Sequence, residues 1–148
     1  MNNKFASVAL CSASVFFSTC TFARDGNLDP GFGAAGKVFT KYSNWFIDTY
    51  NIELAQQSDG KLLVGSSRDY ANPDYDFGVM RLMPDGSLDT TFGANGERFV
   101  VFDRTGSDKG DHLVGMALQS DGKIVLVGVV DGDTSTGDDM GIARLNAD

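Results

Sequence analysis

The chain has few of the residues that usually betray chemistry. Its two cysteines, Cys11 and Cys20, both fall within the first twenty of 148 residues. Beyond them the chain can form no disulfide and no thiolate metal site. A single histidine, His112, excludes a multi-histidine metal centre. Basic residues are outnumbered, with 12 Lys and Arg against 20 Asp and Glu, a formal charge of −8. That balance repels phosphate and argues against nucleic acid or an anionic membrane as partner. Long hydrophobic runs are missing too. The apolar stretch from Ala6 to Phe17 is broken by Ser12 and Ser14 and falls short of the ~20 apolar residues that span a bilayer. No segment sustains a capped 3.6-residue apolar period, so little helix is expected.

The N-terminus has the composition of an export signal. Lys4 provides a short positive region, the stretch to Phe17 an apolar one, and Thr21-Phe22-Ala23 small residues at the two positions that a signal peptidase reads. Residues 1–23 are expected to be a signal peptide, with Arg24 as the new N-terminus and an exported product: periplasmic, cell-surface or extracellular. A buried helix or a membrane anchor is the competing reading. Phe17-Ser18-Thr19-Cys20 weakly matches a lipoprotein site. The remainder, Arg24 to Asp148, has 11 basic and 20 acidic residues, a formal charge of −9.

All 18 glycines lie in that remainder, and they mark a repeat. Residues 25–36 read DGNLDPGFGAAG and residues 85–96 read DGSLDTTFGANG, eight of twelve identical at an offset of 60. AQQSDGK at 55–61 recurs as ALQSDGK at 117–123, offset 62, and GVMRL at 78–82 as GIARL at 141–145, offset 63. Order is kept while spacing drifts, as when loops lengthen and strands do not. The repeats are placed at 24–84 and 85–148.

Each copy reads as four short strands. The first has Lys37–Thr40, Thr49–Gln56, Lys61–Ser66 and Phe77–Met83. The second has Glu97–Asp103, His112–Leu118, Lys123–Val130 and Met140–Asn146. Lys123–Val130 is rich in β-branched residues and too short for a typical helix. Asp59-Gly60 and Asp121-Gly122 each sit between apolar runs, where Asp-Gly accepts the left-handed angles of a tight hairpin. The fold expected is all-β: two tandem four-stranded antiparallel repeats, β-propeller-blade-like, after the signal peptide.

The combined pattern resembles the delta-60 repeat family, bacterial and mostly exported proteins that are usually longer and thought to be propeller-like. The second copy carries the resemblance through Asp85, Gly86, Leu88, Asp89, Phe92, Gly93 and Gly96, then Gln119, Asp121, Gly122, Lys123, Gly128, Arg144 and Leu145. The first carries it through Asp25, Gly26, Leu28, Asp29, Phe32, Gly33 and Gly36, then Gln57, Asp59, Gly60, Lys61, Gly65, Arg81 and Leu82. The resemblance implies fold and export, and no reaction. This chain differs in having two copies, whereas a propeller ring takes roughly four to eight blades.

Within the motif, Leu28/Leu88 and Phe32/Phe92 read as apolar plugs that pin the loop to the core. Gly33, Gly36, Gly93 and Gly96 read as backbone positions closed to other residues. Arg81 and Arg144, in the last strands, are candidates to pair with Asp29 and Asp89 in the loops. A solvated arginine is the alternative.

Few residues suggest a ligand. Asp131, Asp133 and Ser135 have the alternating spacing that opens many calcium loops. Thr136 then stands where glycine is expected, and no glutamate closes the loop, so an acidic hairpin tip competes with a calcium site. No other cofactor is expected. His112 begins a strand with no nucleophile motif beside it. Asp108 and Asp111 are close enough in sequence for acid–base work, as chance allows among 20 acidic residues. Trp45, Tyr42, Phe46 and Tyr50 could stack on carbohydrate or fill a small β core. No catalytic residue is assigned. The reading is a non-catalytic exported module with an interaction or surface-structural role. Its partner would be a surface glycan, a protein, or further copies of itself closing a ring. The alternatives are a piece of a larger propeller without independent function, and a hydrolase or lyase using loop carboxylates.

Overall fold

The computed structural model describes residues 26–40, 46–69, 75–102, 110–132 and 137–147; for residues 46–50 and 69 it describes the backbone only. The signal-peptide segment lies outside these residues. Seven strands follow in order: β1 (Phe46–Gln56), β2 (Leu62–Asp69), β3 (Tyr75–Leu82), β4 (Glu97–Val100), β5 (His112–Leu118), β6 (Ile124–Val130) and β7 (Asp139–Leu145). They form two antiparallel sheets, β1-β2-β3-β4 and β5-β6-β7, and the all-β expectation holds.

The allotment of strands differs from the expectation of four per repeat. β4, which opens the second repeat in sequence, pairs with β3 of the first, Met80 opposite Glu97 and Phe77 opposite Val100. Its counterpart at Lys37–Thr40 is not a strand: that segment makes only an isolated bridge, Gly33 to Lys37. Repeat and sheet are therefore out of phase by one strand. The reason is topological. The loop at 85–96 folds back over the end of β3, where Arg81 N donates to Gly96 O (3.0 Å) and Asp89 N to Arg81 O (2.9 Å), and this delivers β4 to β3's outer edge.

The two sheets stack face to face. Strand alternation turns Phe77, Val79 and Arg81 of β3 toward the second sheet, and Met80 and Leu82 away from it. Leu63, Phe77 and Val79 meet Leu113, Ile124, Leu126 and Val130, with Phe92 inserted from the loop; all eight are buried. Each such side chain contributes about 1.5–3 kcal/mol. A smaller cluster, Met80 and Leu82 with Val38, Leu62, Val64 and Phe99, covers the first sheet's far face. β3 is thus buried on both faces along nearly its whole length, its charged Asp76 and Arg81 included. β6, the central strand of its sheet, is apolar from Ile124 to Val130, with alternate residues buried against the first sheet.

The hairpins also differ in detail. Gly60 and Gly122 have φ of 86° and 83°, while neither Asp59 nor Asp121 is left-handed. Gly60 N donates to Gln57 O and Gln57 N to Lys61 O, and the second hairpin repeats both bonds through Gln119, Gly122 and Lys123. This is a longer loop in which only the glycine, two residues before the second strand, is left-handed. The aspartates serve otherwise: Asp59 Oδ1 accepts from Lys61 N, and Asp121 Oδ1 from Lys123 N, each at 3.2 Å.

Candidate functional site

The motif loop has the same internal bonds in both copies. Phe32 N donates to Asp29 O and Gly36 N to Phe32 O; Phe92 N donates to Asp89 O and Gly96 N to Phe92 O. Gly93, at φ 53°, presses so closely on the Glu97 carbonyl that a side chain has no room there. The leucines do not act as core plugs. Leu28 and Leu88 are exposed, each folded over its own loop's glycine, Gly36 or Gly96. The phenylalanines do pack, Phe92 fully and Phe32 in part against Gly86. Asp25 lies outside the described residues. Gly26 is exposed and left-handed, and Gly33 hydrogen-bonds Asp85 O at 2.7 Å.

The loop brings together a dense polar site between the sheets. Arg81 Nε donates to Asp89 Oδ2 at 2.9 Å, as expected of that pair. Lys61 Nζ lies 3.2 Å from the same oxygen. Asp89 Oδ1 accepts from Thr91 N (3.1 Å) and Thr91 Oγ1 (2.6 Å). Arg81 Nη1 continues to Ala147 O, just past the end of β7, at 2.9 Å, and its guanidinium stands 4.6 Å from the Phe92 ring centroid. Arg81 and Asp89 are 6% and 4% exposed, so this is a desolvated pair whose charges require all these partners. The hydroxyl of Thr91, then its backbone N–H, Lys61 and Arg81, hold the Asp89 carboxyl well below its ordinary value against the opposing effect of burial. With both oxygens occupied, Asp89 is a clamp and has no open face for proton transfer to a ligand.

A second, largely buried pair went unread in the sequence. Arg68 Nη2 donates to Asp76 Oδ2 at 2.9 Å, and the guanidinium lies 3.5 Å over the Phe99 ring, tying β2, β3 and β4. The repeat hides it, because the second copy places Val130 opposite Asp139 where the first has Arg68 opposite Asp76. The usable signal is the cross-strand pair itself, opposite charges on either side of one hairpin.

The remaining candidates separate. Asp111 is buried and accepts from Phe102 N at 3.0 Å, while Asp108 lies outside the described residues. His112 packs its ring 4.8 Å from Tyr75. Of the calcium-loop residues, Asp131 is half-buried after β6, while Asp133 and Ser135 are outside the described residues. Trp45 and Tyr42 are outside them as well, and of Phe46 and Tyr50 only the backbone in β1 is described. Among the described residues, no three His, Cys, Asp or Glu side chains cluster as metal ligands. An open cleft of about 510 Å³ separates the two hairpin tips, with Asp59 and Asp121 on its rims. Each carboxylate pairs with the lysine of its own turn, Lys61 or Lys123, and each is held below its ordinary value, Asp59 chiefly by the Lys61 backbone N–H and Asp121 chiefly by the Lys123 side chain. Asp85 is lowered by Ser87, side chain first.

Two stacked antiparallel sheets, built from a tandem repeat and out of phase with it by one strand, define a β-propeller-type blade architecture. Residues 57–92 and 119–148 match the family model described as "Domain of unknown function (DUF5122) beta-propeller". The matches open on equivalent residues, Gln57 and Gln119. The first holds Lys61, Arg81, Asp89 and Phe92 together; the second holds only Lys123 and Arg144. No curated protein and no solved structure matches the chain.

Proposed function

We propose that this is an exported, non-catalytic repeat module of the delta-60 type, with an interaction or surface-structural role. The observation that carries this reading is the fate of the motif's polar residues. Lys61, Arg81, Asp89 and Thr91 close on one another between the sheets, and Arg81 reaches on to Ala147. The repeated chemistry lies in locking one blade to the next. The buried Asp111 and Asp76 are likewise held by backbone or arginine. Export is supported by the N-terminal composition.

The test expresses the full-length gene in a bacterial host and reads the product's N-terminus by mass spectrometry. An Arg24 terminus in the periplasm or medium is expected. A cytoplasmic product beginning at Met1 would overturn export. Turnover in a substrate panel that disappears in Asp59→Asn or Asp121→Asn would overturn the non-catalytic reading.

A further inference from the structure

The stacking between the two sheets is directional. The first sheet presents Leu63, Phe77, Val79 and Arg81; the second answers with Ile124, Leu126 and Leu145. By the repeat, Ile124, Leu126 and Leu145 correspond to Leu62, Val64 and Leu82, which lie on the far face of the first sheet. The equivalents of Phe77, Val79 and Arg81 are Met140, Ile142 and Arg144, on the far face of the second. Each end of the stack therefore carries the complement of the other.

The far face of the second sheet is open. Phe77 and Val79 are both 0% exposed, whereas Met140 and Ile142 are 75% and 63% exposed. β7 is an edge strand, and no described strand pairs with its outer side. At the opposite end, the loop at 26–40 already sits on the first sheet, with Phe32 and Val38 against Gly86 and Val38 among Met80 and Leu82. It has the turn bonds of the loop at 85–96 and leaves Asp29 and Phe39 exposed. The first sheet separates it from the second sheet, which holds β7 of its own chain.

We infer that the open face of the second sheet docks a second copy of this chain head to tail. Asp29 of that copy meets Arg144 and Lys123, as Asp89 meets Arg81 and Lys61. The same register brings residues 37–40 of the second copy to the outer edge of β7, as β4 lies along β3. Arg144 then reaches the Pro84 carbonyl, the counterpart of Ala147 O. The equivalence is independently visible in the turns: a side chain on Gly60 would touch Pro84, and one on Gly122 would touch Ala147. Such a contact is heterologous, so it builds a ring if the rotation closes and a filament if it does not. Two to four chains would supply the roughly four to eight blades of a closed propeller.

The inference rests on reading the chain as a stacking module, and its test separates the two. The full-length gene is expressed, the product purified in the form the cell yields, and its mass measured by light scattering after size exclusion. A discrete multiple of the chain mass, or a filament, is expected. Arg144→Asp and Asp29→Arg should each reduce it to a single chain with an unchanged β circular-dichroism spectrum. Mixing the two variants should restore assembly, because Asp at 144 then faces Arg at 29 while the opposite junctions are wild-type. A folded single chain at about 100 μM, far above a micromolar Kd, would overturn the docking. So would an assembly unmoved by both Arg144→Asp and Met140→Lys, or a mixture that stays monomeric. Failure of the underlying reading shows separately, as substrate turnover or an unprocessed N-terminus.

Discussion

Phe77 of β3 lies edge-on against Gly128 of β6, so close that a Cβ on Gly128 would stand 2.5 Å from the ring's Cζ. The ring also meets Phe102 at 5.1 Å between centroids, tilted 62°. The two sheets touch here through a ring and a bare backbone. Gly128→Ala would also drive its Cβ into the His112 carbonyl, which cannot swing aside. It should cost about 3 kcal/mol, at the upper end for overpacking, in urea unfolding. Gly137→Ala tests the other extreme: nothing lies near, so only its left-handed φ of 72° opposes the change.

Removing either member of the Arg81–Asp89 pair strands a buried charge. Arg81→Met and Asp89→Asn should each destabilise by about 3–5 kcal/mol. The double variant should cost clearly less than the sum, since the two act on one contact. Additive costs in the denaturation cycle would show that the pair is not coupled.

Acid should act through the same carboxylate. The folded pKa of Asp89 is depressed by Thr91, Lys61 and Arg81, while the unfolded value is about 3.9. Its stabilisation is full above the unfolded value and is lost as pH falls through the folded one, because the unfolded chain takes up the proton first. Between pH 7 and pH 3 the wild type should lose more stability than Asp89→Asn. Urea titrations at the two pH values measure this, and equal losses would contradict it.

Phe92 and Phe32 occupy the same motif position in different surroundings. Phe92 is buried between two sheets, whereas Phe32 is half-buried against one. Phe92→Ala should cost about 3–5 kcal/mol and Phe32→Ala distinctly less. Thermal unfolding of the two variants side by side decides it.

Ala35 and Asn95 share a left-handed backbone, at φ 53° and 56°. Asparagine tolerates that conformation, and alanine does so at a cost of roughly 1–2 kcal/mol. Ala35→Asn, copying the second repeat, should stabilise the protein by up to about 1 kcal/mol. A lower melting temperature would count against it.

Much of the local structure was readable. Asp-Gly turns and β-branched runs located all seven strands to within three residues, while the eighth, Lys37–Thr40, is not a strand. The turn type was misread, because Gly60 alone can supply the left-handed angle that Asp-Gly was expected to share. Leu88 was misread as a plug, because a loop leucine can cover its own glycine as readily as enter the core. The Arg81–Asp89 pair was visible as two recurring residues, an arginine in the last strand and an aspartate in the loop. Lys61 was not, since its reach to Asp89 depends on how two separate loops stack. Arg68–Asp76 has no counterpart in the second repeat and so left no periodic trace.

By itself the sequence determined the all-β character, the repeat and its offset, the hairpin positions, and Arg81 and Asp89 of the clamp. All of these depend on neighbours within a few residues, through backbone preferences and alternation. The tertiary structure alone decided which sheet receives β4 and why equal residues end differently, Arg81 buried and Arg144 exposed. A repeat prints the same side chains at both positions. Whether another sheet then covers them is a property of packing, set by what stands opposite in space.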